Sequence, residues 1–227
     1  MAALSKTVVF FALLSLALAG CGGKALRWEP RVHVVRAGES LQAIAFRYGV
    51  DAQELAAWNR IDNADLIFAG QTLRLTPAPG HKPQPQAPAS NGGATPVAVR
   101  PSAPAPEWTW PAEGALLARF GDATSIGQGI DIGGNRGNPV RASAGGQVVY
   151  SGSGLLGYGK LIILKHNDSY LSAYGHNNRL LVGEGESVAA GQRIGEMGVG
   201  PGDRAILHFE IRIKGKPVDP LQYLPSR

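Results

Sequence analysis

A single cysteine, Cys21, stands in 227 residues, so no disulfide can close within the chain and each folded part must rest on its own apolar core. Aromatic residues make up only 7% and charged residues 17%, and the net charge of +5 is neither gathered into a basic run nor interleaved with aromatics. Nucleic acid is thereby set aside as a partner, since its recognition needs a concentrated basic patch. A mild positive balance instead suits anionic surfaces such as cell-wall polymer or phospholipid headgroups. No apolar run reaches the ~20 residues that a bilayer-spanning helix needs. What is plentiful is glycine (31) and proline (16), pointing to turn-rich β-structure and linkers, and the 44% of hydrophobic residues is enough for packed cores.

The first residues read as an export signal. Lys6 supplies the positive end, and residues 7–19 (TVVFFALLSLALA) form an apolar segment too short to cross a membrane. The segment ends in Leu18-Ala19-Gly20-Cys21, small residues before a cysteine, which resembles a bacterial lipobox. That resemblance implies removal of residues 1–20 and acylation of Cys21, which also accounts for an odd thiol in an exported chain. Gly22, rather than Asp, implies sorting to the outer membrane, with the protein lipid-anchored there and facing the periplasm.

Composition divides the remainder. Residues 21–31 are a short tether from the lipidated cysteine. Residues 77–106 are rich in Pro, Ala, Gly and Ser with almost no large apolar side chains, so they cannot bury a core and read as a disordered linker. Fully extended as polyproline II, that linker would reach about 90 Å, so the first folded part stays close to the anchor and the second can range.

Between them, residues 32–76 show a β-α-α-β order. Residues 32–35 are strand-like, and Ser40 caps a helix whose Leu41, Ile44, Ala45 and Tyr48 fall on one stripe, ended by Gly49. Asp51 and Glu54 form a capping box for a second helix containing Leu55, Ala56 and Trp58, and residues 71–75 return as a strand. Trp58 reads as core rather than as a sugar platform. With VxxGESLxxIAxRYGV, LAxWN and IxxGQTLRL, this segment resembles a LysM module. The resemblance implies binding of N-acetylglucosamine-containing glycan, here peptidoglycan. It places the groove at Gly38, Glu39, Ser40 and Leu41 and at Asp62, Leu66 and Ile67.

Residues 107–227 change to short strands divided by glycine turns, notably 147–150, 160–165, 170–174 and 207–213, with no helix of any length. A mainly antiparallel β-domain is expected, a sandwich or half-barrel, so the chain as a whole is of mixed class. The segments GQGIDIGGNRGNPVRASAGGQVVYSG, GYGKLIILKHNDSYLSAYGHNNRLLVGEGESVAAGQRIGEMG and LHFEIRIKGKPVDPLQYL resemble the LytM, or M23 metallopeptidase-like, domain. Active members hold one zinc through H-x-G-x-D and H-x-H, with a further histidine in Tyr-x-His, and leave one position open for an activated water. In this chain the first motif is Gly127-Gln128-Gly129-Ile130-Asp131 and the second is Ile206-Leu207-His208. Gly127 stands for a ligand histidine and Ile206 for a catalytic one, while Asp131, His208 and His176 (in Tyr174-Gly175-His176) remain. Strand alternation places Ile206, His208, Glu210 and Arg212 on the groove face and Leu207, Phe209, Ile211 and Ile213 on the core face.

The resemblance therefore implies a domain with no catalytic residues, no metal and no cofactor, whose groove of Gly127, Asp131, His176, Ile206 and His208 binds a partner. The whole order of parts resembles the NlpD/EnvC type of activator, implying a periplasmic N-acetylmuramoyl-L-alanine amidase as that partner and a role in splitting the cell wall at division. A zinc endopeptidase with unusual ligands and a purely structural tether from wall to membrane are the competing readings. Replacing Cys21 with Ala is expected to abolish palmitate labelling and leave an unprocessed precursor in the inner membrane, checked by labelling and membrane fractionation.

Overall fold

The computed structural model describes residues 32–62, 67–77, 101, 103–122 and 128–227. Cys21, Leu66 and Gly127 lie outside the described residues, as does most of the Pro-rich segment.

Strands β1 (Val32–Val34) and β2 (Thr72–Arg74) pair antiparallel, and helices α1 (Leu41–Tyr48) and α2 (Ala52–Asn59) lie between them in sequence. The caps are those the sequence implies. The Ser40 hydroxyl accepts the Ala43 N–H, Gly49 closes α1 in the left-handed region, and one Asp51 carboxylate oxygen accepts the N–H groups of Gln53 and Glu54. Leu41, Ile44, Ala45, Leu55 and Leu73 make the small core, and Trp58 packs against it half-buried. Among the described residues no helix is long and apolar enough to cross a membrane.

The remaining strands are β3 (Leu116–Ala118), β4 (Ile130–Gly133), β5 (Pro139–Arg141), β6 (Gly146–Gly152), β7 (Lys160–Lys165), β8 (Tyr170–Leu180), β9 (Ser187–Val188), β10 (Arg193–Val199), β11 (Ala205–Ile213) and β12 (Lys216–Val218). All their pairings are antiparallel, as expected for this part of the chain. β11 is the hub, with β4 on one side and β8 on the other. β8 runs longer than its apolar stretch suggests. Its first half pairs with β11 through Gly175, and after a break it pairs with β10 from Asn177. The break falls at His176, whose φ of 59° is left-handed, a conformation costing about 1–3 kcal/mol for a non-glycine residue.

Leu207, Phe209, Ile211 and Ile213 enter the main core with Ile130, Ile132 and Tyr174, as alternation requires. Tyr174 also fixes the layer polar-wise. Its hydroxyl accepts the Ser143 N–H at 2.8 Å and bonds the Ser172 hydroxyl at 2.8 Å. His166 sits behind Ser172, with Nε2 at 2.8 Å from its hydroxyl and Nδ1 at 2.7 Å from the Gly145 carbonyl. His166 is therefore a structural histidine on the core side, and burial holds it below the ordinary imidazole range.

The two folded parts share an apolar cluster, in which Ala43 and Phe46 of α1 join Tyr158, Leu161, Ile163, Leu171 and Ala173. Free ranging of one part from the other, the expectation from linker composition, is not what this arrangement shows. Replacing Tyr174 with Phe would strand the buried Ser143 N–H, so a loss of about 1–3 kcal/mol is expected in urea unfolding, with unchanged far-ultraviolet circular dichroism.

Candidate functional site

β4, β8 and β11 bring together four of the five groove residues. Asp131 on β4 lies opposite His208 on β11. His176 stands at the break in β8, its ring 6.3 Å from that of His208. Its N–H donates to the Tyr158 carbonyl at 2.8 Å, which fixes the left-handed turn. Ile206 lies next along the same face of β11, packed so tightly that a side chain on Gly200 would collide with it.

Asp131 and His208 bond each other. His208 Nδ1 and Asp131 Oδ1 are 2.7 Å apart, and Nε2 of the same ring is 3.1 Å from Glu210 Oε1. Burial opposes charge on His208, but the bonds to Asp131 and Glu210 outweigh it and raise its pKa to about 9. Burial also pushes Glu210 upward, yet the Arg212 guanidinium and His208 hold its carboxyl below the usual range. Both effects favour the ionised pair. His176 is the counterpart: burial and the charge of His208 push it down, keeping it neutral. Its Nε2 is buried with no hydrogen-bond partner among the described residues.

Beyond His208 the network continues through groups whose role the motif reading leaves unassigned. Arg212 donates from Nε to Glu210 Oε2 at 2.7 Å and from Nη2 to the Tyr158 hydroxyl at 3.1 Å and Gln128 Oε1 at 2.9 Å. The Tyr158 hydroxyl in turn donates to Glu210 Oε1 at 2.8 Å. Alternation already puts Glu210 and Arg212 on this face. Tyr158 carries only a weak signal, a lone aromatic between Gly157 and Gly159.

The residues brought together here are shielded from solvent. Asp131 and His176 are each 7% exposed, Ile206 4% and His208 0%, so in this conformation the floor is covered rather than presented. Ile206 is almost wholly buried and lies against Gly200.

In the smaller part, Gly38 is exposed with φ 79°, and Asp62 is exposed. Glu39 accepts from the Arg36 N–H at 2.9 Å and from Arg47 at 2.6 Å, and lies 2.7 Å from His33 Nε2. Desolvation raises its carboxyl, but these bonds prevail and hold it below the usual range. Ser40 is occupied as a helix cap, and Ile67 packs half-buried on the core. Leu41 is corrected: its side chain is 1% exposed in the core, because the stripe of α1 needs it there, so only its backbone can meet a glycan.

A model described as Peptidase family M23 matches residues 125–220, and one described as LysM domain matches residues 33–76. A Pseudomonas aeruginosa protein described as "Lipoprotein NlpD/LppB homolog" is 47% identical, covering 86% of this chain and 77% of its own length. From Escherichia coli K12, "Uncharacterized lipoprotein YgeR" is 36% identical across 98% of this chain and 94% of its own. "Murein hydrolase activator NlpD" of the same organism is 52% identical across 56% of this chain and 33% of its own.

Removing Arg212 alone would leave Glu210 buried beside a reduced positive charge. Arg212→Met is expected to cost about 3–5 kcal/mol, whereas Glu210→Leu combined with Arg212→Met should recover much of that loss, measured as a double-mutant cycle in urea.

Proposed function

Because the chain belongs to the NlpD/LppB family of lipoproteins and carries LysM and M23 domains, we propose that it is a peptidoglycan-binding activator of a periplasmic N-acetylmuramoyl-L-alanine amidase. Lipid on Cys21 holds it at the outer membrane, its LysM loops at Gly38–Ser40 and Asp62–Ile67 engage wall glycan, and its M23-type groove binds the amidase without cutting. Binding in the groove relieves the amidase's own inhibition, so that wall is split at division.

The observation that carries this reading is the 2.7 Å bond between His208 Nδ1 and Asp131 Oδ1. A histidine holds a metal with a free lone pair, and here that nitrogen is engaged by the carboxylate that would be its fellow ligand. The place of the third ligand is Gly127, which has no side chain, and the place of a proton-transferring histidine is Ile206, which cannot titrate. The residues present do not fit a zinc ion. Without a polarised water the groove is left with binding as its chemistry. What remains there is an apolar Ile206 and a neutral His176 with an unused ring nitrogen, groups suited to binding.

The purified chain alone should release no dye from labelled peptidoglycan, should hold far less than one zinc per molecule, and should raise release when added to a periplasmic amidase. Release by the chain alone that a chelator abolishes would overturn this reading in favour of a zinc endopeptidase. Restoring imidazoles with Gly127→His and Ile206→His should lower amidase activation about 5- to 150-fold in effective affinity if the groove is the docking site.

A further inference from the structure

Helix α1 is buried on two sides. Leu41, Ile44 and Ala45 serve the LysM core, but Ala43 and Phe46 contribute nothing to it. Phe46 is 1% exposed because the M23-type sheet covers it. The Arg212 guanidinium lies 3.5 Å over the centre of its ring, Arg212 Nη1 donates to its carbonyl at 2.5 Å, and the Tyr158 ring meets its edge at 5.6 Å. Tyr158 is in turn 5.8 Å from the His208 ring, and its backbone carbonyl holds His176. The module thus presses on Tyr158, which lies against His208 and holds the His176 backbone. A second contact lies at the turn after β11, where Gly215 approaches the Val50 carbonyl so closely that any side chain there would overlap it.

Arg47, next to Phe46, joins this interface to the glycan loop. Its Nη1 donates to Glu39 Oε1 at 2.6 Å, and its Nη2 reaches the Gly154 carbonyl at 3.4 Å, on the same loop as Tyr158. A sugar that engages Glu39 competes for Arg47, and Arg47 also reaches the loop that carries Tyr158.

We propose that the LysM module is an intramolecular latch. Seated by Phe46 on Arg212 and Tyr158, it keeps loop 153–159 closed over the groove, and occupancy of its Gly38–Leu41 loop by wall glycan releases it. Release uncovers both the groove and the apolar sheet face at Leu161, Ile163, Leu171 and Ala173. Activation is then confined to molecules already on the wall. The idea rests on the groove being the partner site, but the latch itself can be tested without a partner.

Hydrogen exchange on the full chain is the test, with Ala43→Arg plus Phe46→Ser as the opened variant, since neither side chain belongs to the LysM core. In the variant, amides of residues 153–160 should exchange about tenfold faster or more. A soluble N-acetylglucosamine oligomer should produce the same change in the unaltered chain while slowing exchange at residues 38–41. Unchanged exchange at 153–160 in a variant whose LysM amides remain protected would overturn the contact. Oligomer protection at 38–41 with no effect at 153–160, or no protection at 38–41, would overturn glycan release. Amidase assays run in parallel separate the two ideas. Faster exchange together with activation at lower concentrations of the variant supports both, whereas faster exchange with no activation by any form leaves the latch standing and removes the activator reading.

Discussion

Four ionisable groups of alternating sign lie along one side of the sheet: Asp131, His208, Glu210 and Arg212, linked in that order by bonds of 2.7, 3.1 and 2.7 Å. Everything else at the groove depends on this row. Taking one unpaired charge out of water costs several kcal/mol, so no member can be buried alone. In series each carboxylate has a cation and each cation a carboxylate, and the whole can sit under Tyr158 and the neighbouring module. The period of two along β11 supplies three of the members from one strand, while the cross-strand neighbour on β4 supplies the fourth.

The row also explains the contrast between two histidines whose rings are 6.3 Å apart. His208 has carboxylates on both nitrogens and is drawn to the charged form. His176 has none, feels the charge of His208, and is drawn to the neutral one. It is also held in a left-handed backbone at the point where β8 leaves β11 for β10. The strain is balanced by the bond from its N–H to the Tyr158 carbonyl and by a pairing network that gives Gly175 and Asn177 different partner strands. Shape and electrostatics at the floor are therefore set by backbone topology as much as by the side chains.

Much of this was legible in the residues. The caps Ser40, Asp51 and Gly49, the stripe of α1 and the alternation of β11 follow from local geometry, and the structure reproduces each. Glu210 and Arg212 could be placed on the groove face, but not as a charge relay to Phe46, because that link spans 166 residues and no local pattern encodes it. Phe46 itself left a sign. It is a large apolar side chain off the LysM stripe, which an isolated module would expose to water. The Pro-rich composition of the linker speaks to reach and is silent on where its ends dock, so the expectation of free ranging failed at a tertiary contact. Leu41 belongs both to the helix stripe and to the loop that the family resemblance implies, and its side chain goes to the core.

The row finally accounts for how Asp131 and His208 are held together beneath the sheet surface. A carboxylate at Asp131, only 7% exposed, requires a cation nearby. Here that need is met by His208, which Glu210 supports from the other side. Removing either residue would expose the other's charge to an apolar interior, so the two hold their places as a structural ion pair. That pair then anchors Glu210, Arg212 and Tyr158, and through them the module whose helix rests on Arg212. A buried ion pair at the centre of one sheet is in this way the fixed point of the contact with the neighbouring module.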